Sequence, residues 1–241
     1  MTTIFVADLH LCSQRPALTD AFVHFTEKTV KGCKALFLLG DIFEAWIGDD
    51  YLDPALQPVV DALKKLSQNG TKLYFQHGNR DFLVGQRLMD EIGAVLLDET
   101  HLVELGSQTA LIMHGDQLCT DDIEYQKFRS LVRSNNWRTD FLDKPIAQRL
   151  QIAEHLRAQS KEHSSQKSQE ITDVNPDAVT SALTQAKVQL LIHGHTHRPN
   201  IHEIELPNSM TAKRMVLGDW GETLWYIKSD DNGCHLIEEN I

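Results

Sequence analysis

Cysteine is scarce in this chain. Cys12, Cys33, Cys119 and Cys234 lie far apart among 241 residues, with no Cys-x-x-Cys pair. That spacing excludes a small disulfide-built scaffold and reads as reduced thiols in a cytoplasmic setting. Long apolar runs are missing too. No window approaches the about 18 uninterrupted apolar residues of a membrane span. Ile4, Phe5 and Val6 run straight into Asp8, without the basic and apolar regions of a secretory signal. The expectation is a chain that neither spans a membrane nor is exported. Positive charge is in deficit: 23 Lys and Arg face 34 Asp and Glu, a formal net charge of −11 with histidine neutral. A field of that sign opposes binding to nucleic acid, so a phosphate-bearing ligand needs a local source of positive charge. No internal repeat is visible.

What is present is an ordinary globular composition, 41% hydrophobic and 24% charged, in a length that suits one domain with an elaboration. The first 120 residues alternate apolar runs with helical patterns. TTIFVADLH, KALFLLGD and TKLYFQHGN read as strands ending near Asp8, Asp41 and Asn79. Pro16 through Lys31 and Pro54 through Gln68 read as the helices between them, each opened by proline. This alternation implies βαβ units and a largely parallel sheet. From Val95 the strands become short and closely spaced, ending in TALIMHGD; VQLLIHGH and segments near residues 201–205, 214–217 and 224–227 continue that texture. A mixed sheet, or two packed sheets flanked by helices, accounts for both halves. Between Asp121 and about Pro176 the sequence turns helical and polar, as an insertion would. From Ile123 to Glu170 it holds nine Lys or Arg against six Asp or Glu, a positive segment in an acidic chain. SSQKSQ, at 164–169, is only a polar stretch.

Five short motifs stand where strands run into loops: Asp8-Leu9-His10, Gly40-Asp41, Gly78-Asn79-Arg80-Asp81, His114-Gly115-Asp116 and Gly194-His195-Thr196-His197. Singly, each has an ordinary reading as a helix cap, a turn or a structural histidine. Jointly they place carboxylate, imidazole and amide donors on one edge of an α/β sheet, where such folds bind ligands. Without thiolate, that set suits manganese, iron or magnesium better than a structural zinc site. In Asp-x-His and His-x-His, a spacing of two puts both side chains on one side of an extended strand.

In this order the motifs resemble the calcineurin-like metallophosphoesterase superfamily, with its D-x-H, G-D, G-N-[H/R]-[D/E], H and G-H-x-H blocks, from Asp8 to His197. The resemblance implies an αββα sandwich of two mixed sheets flanked by helices, with residues 1–120 and 177–241 as core and 121–176 as a helical cap. It implies one ion held by Asp8, His10, Asp41 and His197, and a second held by Asp41, Asn79, His114 and His195, with manganese the expected metal. Two divalent ions against two carboxylates leave the pocket positive, which answers the repulsion set by the net charge, and a water bridging them would serve as nucleophile. Arg80 stands where many members have a histidine that protonates the leaving group. Arginine stays charged and clamps phosphate instead. A phosphate monoester, with a second pKa of about 6, leaves without a proton, so Arg80 favours cleavage of a diphosphate.

Closer still is the resemblance to the UDP-2,3-diacylglucosamine diphosphatases of lipid A biosynthesis, through FVADLHL, LGDIFEAWIGDD, HGNRDFLVG, HGDQLCTDD and the placement of the insertion. It implies hydrolysis at the α-phosphorus to UMP and 2,3-diacylglucosamine 1-phosphate, a cap that takes the acyl chains, and substrate contacts at Asn79, Arg80, Asp122, Ser160, Ser164, Lys167 and His195. Members often have asparagine at position 164. Lipid substrate implies peripheral association with the cytoplasmic face of the inner membrane, with no nucleic acid and no obligate protein partner. Trp137, Phe141 and Leu142 either touch that membrane or pack the cap onto the core. A nucleotide phosphodiesterase or dinucleotide pyrophosphatase on the same two-metal core, and a non-catalytic scaffold of the same fold, are the alternatives. Outside the motifs, His77 and His193 read as partners of ligands or as satisfied core histidines, and Asp81 and Asp116 as supports for loop backbone or a ligand imidazole. Asp49 and Asp50 read as charges on a solvated turn. His24, His101, His155, His163, His202 and His235 read as surface residues, and Gly218-Asp219-Trp220 has no assigned role.

Overall fold

The computed structural model describes residues 2–166, 173–207 and 209–241, without the side chains of 159–166. Strands β1 (Thr3–Val6), β2 (Ala35–Leu39), β3 (Lys72–Gln76) and β4 (Ala94–Leu96) alternate with helices α1 (Pro16–Phe25), α2 (Gln57–Gln68) and α3 (Gln86–Ile92). These four strands are parallel neighbours, and the antiparallel hairpin of β10 (Thr223–Asp230) and β11 (Gly233–Asn240) extends the sheet from β1 in the order β11-β10-β1-β2-β3-β4. The second sheet combines β5 (Thr100–Leu105), β6 (Gln108–Met113), β7 (Leu190–His193), β8 (Asn200–Glu205) and β9 (Thr211–Val216) in the order β5-β6-β7-β9-β8.

Successive side chains of a strand face opposite ways, so a strand apolar at every position must be covered on both sides. That rule assembles the layers. Phe5, Phe37 and Leu39 of the first sheet meet Ala110, Ile112, Leu190 and Ile192 of the second in a core between the sheets. Their neighbours Ile4, Val6, Leu36 and Leu38 face outward, where Leu18 and Phe22 of α1 and Val59 and Leu63 of α2 cover them. On the far side, Leu111, Met113 and Leu191 meet Val179 and Leu183 of α7 (Pro176–Ala186). The result is helix, sheet, sheet, helix, with both sheets mixed.

The helices open as their sequences require: Pro16 sits in the first turn of α1, and Asn175 caps α7 through Asp177 N and Ala178 N. The expected single helix over 16–31 divides, since α1 gives way at Thr26 to a π-helical turn, Thr26–Val30, where the Thr26 hydroxyl donates to Val23 O. The expected helix from Pro54 likewise begins as a 3-10 turn, Pro54–Leu56. Three helices, α4 (Ile123–Val132), α5 (Asn135–Leu142) and α6 (Ile146–Gln166), stand between β6 and α7. Phe141 of α5 is buried, and Trp137 stacks on it with ring centroids 4.9 Å apart and also faces Phe82. Leu142 is exposed. In the loop after Trp46 the solvated-turn reading holds for the exposed Asp50 and fails for Asp49. Asp49 accepts hydrogen bonds from Trp46 Nε1, Gly85 N and Leu88 N, and Asp50 pairs with the buried Arg149 of α6.

Candidate metal centre

Each motif follows the C-terminal end of a strand: β1 leads to Asp8 and His10, β2 to Asp41, β3 to Asn79 and Arg80, β6 to His114, and β7 to His195 and His197. The loops interlock through backbone hydrogen bonds. Asp8 N donates to Gly40 O, His10 N to Asp41 O, and Gly194 N to His114 O, all within 3.1 Å. Asp8 Oδ2 accepts from His195 N and Asp41 Oδ1 from Arg80 N, so both carboxylates are held by backbone of a neighbouring motif. Asp8, His10, Asp41, His195 and His197 all have φ between +51° and +69°. For residues other than glycine that left-handed backbone is unfavourable, and its concentration here marks a site maintained against local cost.

All seven expected metal ligands converge. Asp8, His10 and His197 form one group of close donor atoms, and Asp8, Asp41 and His114 another. His10 Nε2 and His197 Nε2 face each other at 3.2 Å. Asn79 Oδ1 lies 3.0 Å from His114 Nε2 and 2.8 Å from His195 Nδ1. His114 Nδ1 must donate to Leu39 O, 2.9 Å away, so in a neutral ring the lone pair on Nε2 meets an amide oxygen. Asp8 Oδ1 is buried, with His197 Nε2 at 3.4 Å as its ion-pair partner. Acceptors that face acceptors, beside a buried carboxylate, fit a cation among them. The donors present, carboxylate, imidazole and amide, suit divalent ions that favour oxygen and nitrogen.

Protons hold this charge together where no cation does. Burial would push the Asp8 carboxyl up, but His197, His114 and His10 hold it well below the usual range. Burial likewise opposes charge on His197, and Asp8 reverses this, raising the imidazole to about 9. Asp41, Asp8 and Asp116 raise His114 against its burial. Burial, followed by the neighbouring His114, lowers His195 to about 4.

Residues outside the motifs complete the surroundings. Glu44 Oε2 lies 3.1 Å from His10 Nδ1, and Asp219 Oδ2 lies 3.7 Å from His197 Nδ1, placing carboxylates behind two imidazoles. Asp219 thus gains a position beside the site, while Trp220 is buried in the core and its backbone N–H donates to Asp8 O. Asp81 does hold loop backbone, accepting from Gly78 N and Ile42 N. Burial and the nearby Asp41 push its carboxyl up to about 6. His77 bonds Val84 O and His193 bonds Gly194 O, as satisfied core histidines do. Asp116 departs from expectation: its side chain supports neither loop backbone nor imidazole but meets Tyr125, Arg129 and Arg133. No motif announces those three partners. Their spacing of four is the only signal in the sequence, and it is shared by every helix face.

Next to the ligands opens a cavity of about 500 Å³. Asn79, Arg80, Glu44 and Asp122 line one part; Trp46, Phe82, Phe128, Val132, Trp137, Phe141 and Leu156 give the remainder its apolar surface, with charged side chains that include Lys127, Arg129, Arg133 and Arg157 also on the wall. Arg80 Nε is buried without a hydrogen-bond partner. Asp122 caps α4 by accepting from Tyr125 N. The side chains of Ser160 and Ser164, and the whole of Lys167, lie outside the described residues.

The calcineurin-like phosphoesterase family model matches residues 1–199, over a mixed two-sheet sandwich that gathers carboxylate, amide and imidazole groups at its strand ends. The chain belongs to that family. Two relatives named UDP-2,3-diacylglucosamine hydrolase extend the likeness over nearly the whole length. That of Tolumonas auensis is 45% identical, covering 100% of this chain and 98% of its own. That of Yersinia pseudotuberculosis is 50% identical and covers 98% of each. An archaeal phosphodiesterase shares the fold, with a TM-score of 0.51 at 12% identity over the full length of both chains.

Proposed function

We propose that this chain is a metal-dependent hydrolase of the diphosphate bond of UDP-2,3-diacylglucosamine, releasing UMP and 2,3-diacylglucosamine 1-phosphate. The observation that supports this reading is the cavity that runs from the candidate metal ligands, where its wall is polar, to a cluster of Trp46, Phe82, Phe128, Trp137, Phe141 and Leu156 between the core and α4–α6. A diphosphate needs the first part and acyl chains the second, and the volume lies within the usual range for ligand sites. In this reading residues 121–176 act as a cap on a core of 1–120 and 177–241.

Asp8, His10, Asp41 and His197 would hold one divalent cation, and Asp41, Asn79, His114 and His195 a second, with manganese the favoured ion. Bound there, such cations supply Lewis acidity, lowering the pKa of water and offsetting charge on phosphoryl oxygens. The protein's own residues orient the substrate. Arg80, a fixed charge with a buried nitrogen to spare, clamps a phosphoryl oxygen and holds charge as it develops. It moves no proton, and the departing phosphate monoester requires none. Trp137, Phe141 and Phe82 exclude water around the acyl chains. Asp122, Ser160, Ser164 and Lys167 are assigned to the sugar phosphate. Among the described residues no helix is long and apolar enough to cross a membrane. Peripheral contact with the inner membrane is assigned to Ile123 and Leu131, exposed on α4 on either side of Lys127.

The test compares hydrolysis of UDP-glucosamine with and without its two acyl chains, with manganese and after chelation. Turnover of the acylated compound alone, abolished by chelation, is expected. Equal rates on the two compounds would defeat the lipid assignment.

A further inference from the structure

Asp116 follows the candidate ligand His114 by two residues, yet its side chain serves α4. The carboxylate is fully buried, and one oxygen, Oδ2, collects three donors: Tyr125 Oη at 2.7 Å, Arg129 Nε at 2.8 Å and Arg133 Nη2 at 3.2 Å. Residues 125, 129 and 133 recur every four positions, so they form one stripe of α4 and its C-cap, and the stripe closes on a single atom. Backbone joins in, since Gln126 Nε2 donates to Asp116 O at 2.8 Å and to Cys119 O at 3.0 Å.

The same stripe reaches the loops of the metal centre. Arg133 Nη2 also donates to Gly78 O at 3.0 Å, next to Asn79, and its Nη1 meets Glu99 at 2.8 Å. The Tyr125 ring lies over His195, with centroids 5.9 Å apart and planes 28° from parallel. Glu99 also meets Arg129 Nη2 at 2.9 Å, so the two guanidinium groups are balanced by two carboxylates, of which only Asp116 is buried. Removing one partner from such a network is far more costly than exchanging the whole of it. A cap held only by apolar packing would slide; one pinned at a point has a fixed register.

We propose that Asp116 is a positioning residue, a pin on the core that sets α4 over the metal-ligand loops and thereby fixes the width of the cavity that receives the acylated substrate. The proposal rests on the function assigned above for its substrate. Its structural half, the pinning of α4, does not. Asp116 does not line the cavity, whereas its partners Tyr125, Arg129 and Arg133 do, so its influence on substrate passes through the α4 stripe.

The experiment uses the full-length, manganese-loaded protein and Asp116→Asn, which keeps the shape and removes the charge. Three readings are taken: kinetics on UDP-2,3-diacylglucosamine, kinetics on bis(4-nitrophenyl) phosphate, and amide hydrogen exchange over residues 123–133. The small diester has no acyl chains and reports the metal centre alone. Expected are a KM for the acylated substrate raised about tenfold, the size of effect usual within one shared network, and diester turnover within about twofold of wild type. Exchange in α4 should accelerate at least about tenfold, as for a helix whose docking is released. Parallel loss on both substrates would assign Asp116 to the folding of the metal loops and overturn the proposal, as would unchanged exchange in α4. If the wild-type protein does not turn over the acylated compound, the functional assignment fails, and the exchange measurement still decides whether Asp116 pins α4. If Asp116→Asn does not fold, Arg129→Met removes one donor from the cap side and is read by exchange against the same expectation.

Discussion

His10 and His197, 187 positions apart in the chain, point their Nε2 atoms at each other across 3.2 Å. At most one proton fits between two imidazole nitrogens so placed, whereas one cation accepts both lone pairs at once. Titration with Mn(II) is therefore expected to raise Tm and to saturate at two ions per chain. His197→Ala should take up one ion fewer and lose at least about 100-fold in activity, as loss of a metal contact does. Binding should also release protons at pH 7, because Asp8 raises His197 to about 9. Calorimetry in buffers of different ionisation enthalpy measures that release, and identical heats in all buffers would sink the prediction.

The thiol of Cys119 supplies a second expectation, independent of metal. Burial, followed by the charges of Asp116, Asp173 and Asp122, pushes it up to about 12. A raised pKa favours the protonated form in the folded chain, so its contribution to stability is complete below the unfolded value of about 8.5 and is lost as pH climbs toward 12. At pH 8 the native thiolate fraction is about a thousandfold below that of an ordinary thiol. Iodoacetamide at pH 8 should thus leave Cys119 unmodified in native protein and label it promptly in denaturant, as mass spectrometry of peptides will show. Equal labelling in both states would contradict it.

The sequence carried the sandwich because its central strands are apolar at every position, and Ile4-Phe5-Val6 or Leu36-Phe37-Leu38 can be buried only between two covering layers. The candidate metal centre was legible as a cluster because seven carboxylate, amide and imidazole groups fall at strand ends that the topology brings to one edge. Less was legible where a residue serves a distant element. Asp49 resembles any loop carboxylate until Gly85 and Leu88 are placed beside it, and Asp116 resembles a loop support until α4 lies across it. Glu44 and Asp219 stand behind imidazoles without a spacing that announces them. The β11 strand was not foreseen either, since its Glu238, Glu239 and Asn240 lie on an exposed edge with no apolar alternation.

Backbone conformation is likewise hidden from composition, and Lys187 shows this away from the site. It ends α7 in the left-handed region, with φ +56° and ψ +40°, on an exposed position where glycine is the usual choice. A side chain there costs about 1 kcal/mol, partly offset by the added freedom of glycine in the unfolded chain. Lys187→Gly should raise Tm by up to about 4 °C, the shift that 1 kcal/mol gives at this length, with activity unchanged. A lower Tm by calorimetry would refute it.

The glycines of the motifs look like turn formers, and for Gly78 and Gly194 the structure gives a different reason. Neither has positive φ, so conformational freedom is not what selects glycine there. A Cβ on Gly78 would lie 2.1 Å from Asp41 Oδ1 and 2.3 Å from Asp41 N; one on Gly194 would lie 2.3 Å from Asp8 Oδ2. Both glycines are the space into which a carboxylate of the candidate metal centre fits. Gly78→Ala must displace Asp41 or the 78–81 loop by an ångström or more, and a shift of that size costs about 100-fold in rate. It should abolish uptake of at least one Mn(II) and reduce turnover by about that factor, with the fold retained by circular dichroism. Gly106→Ala is the contrasting control. Gly106 has φ +66° and open space around its Cα, so the change should cost about 1 kcal/mol of stability and leave metal binding alone. Normal manganese stoichiometry in Gly78→Ala would mean that the Asp41 carboxylate has room the structure denies it, and the assignment of Asp41 as the shared ligand would fall with it.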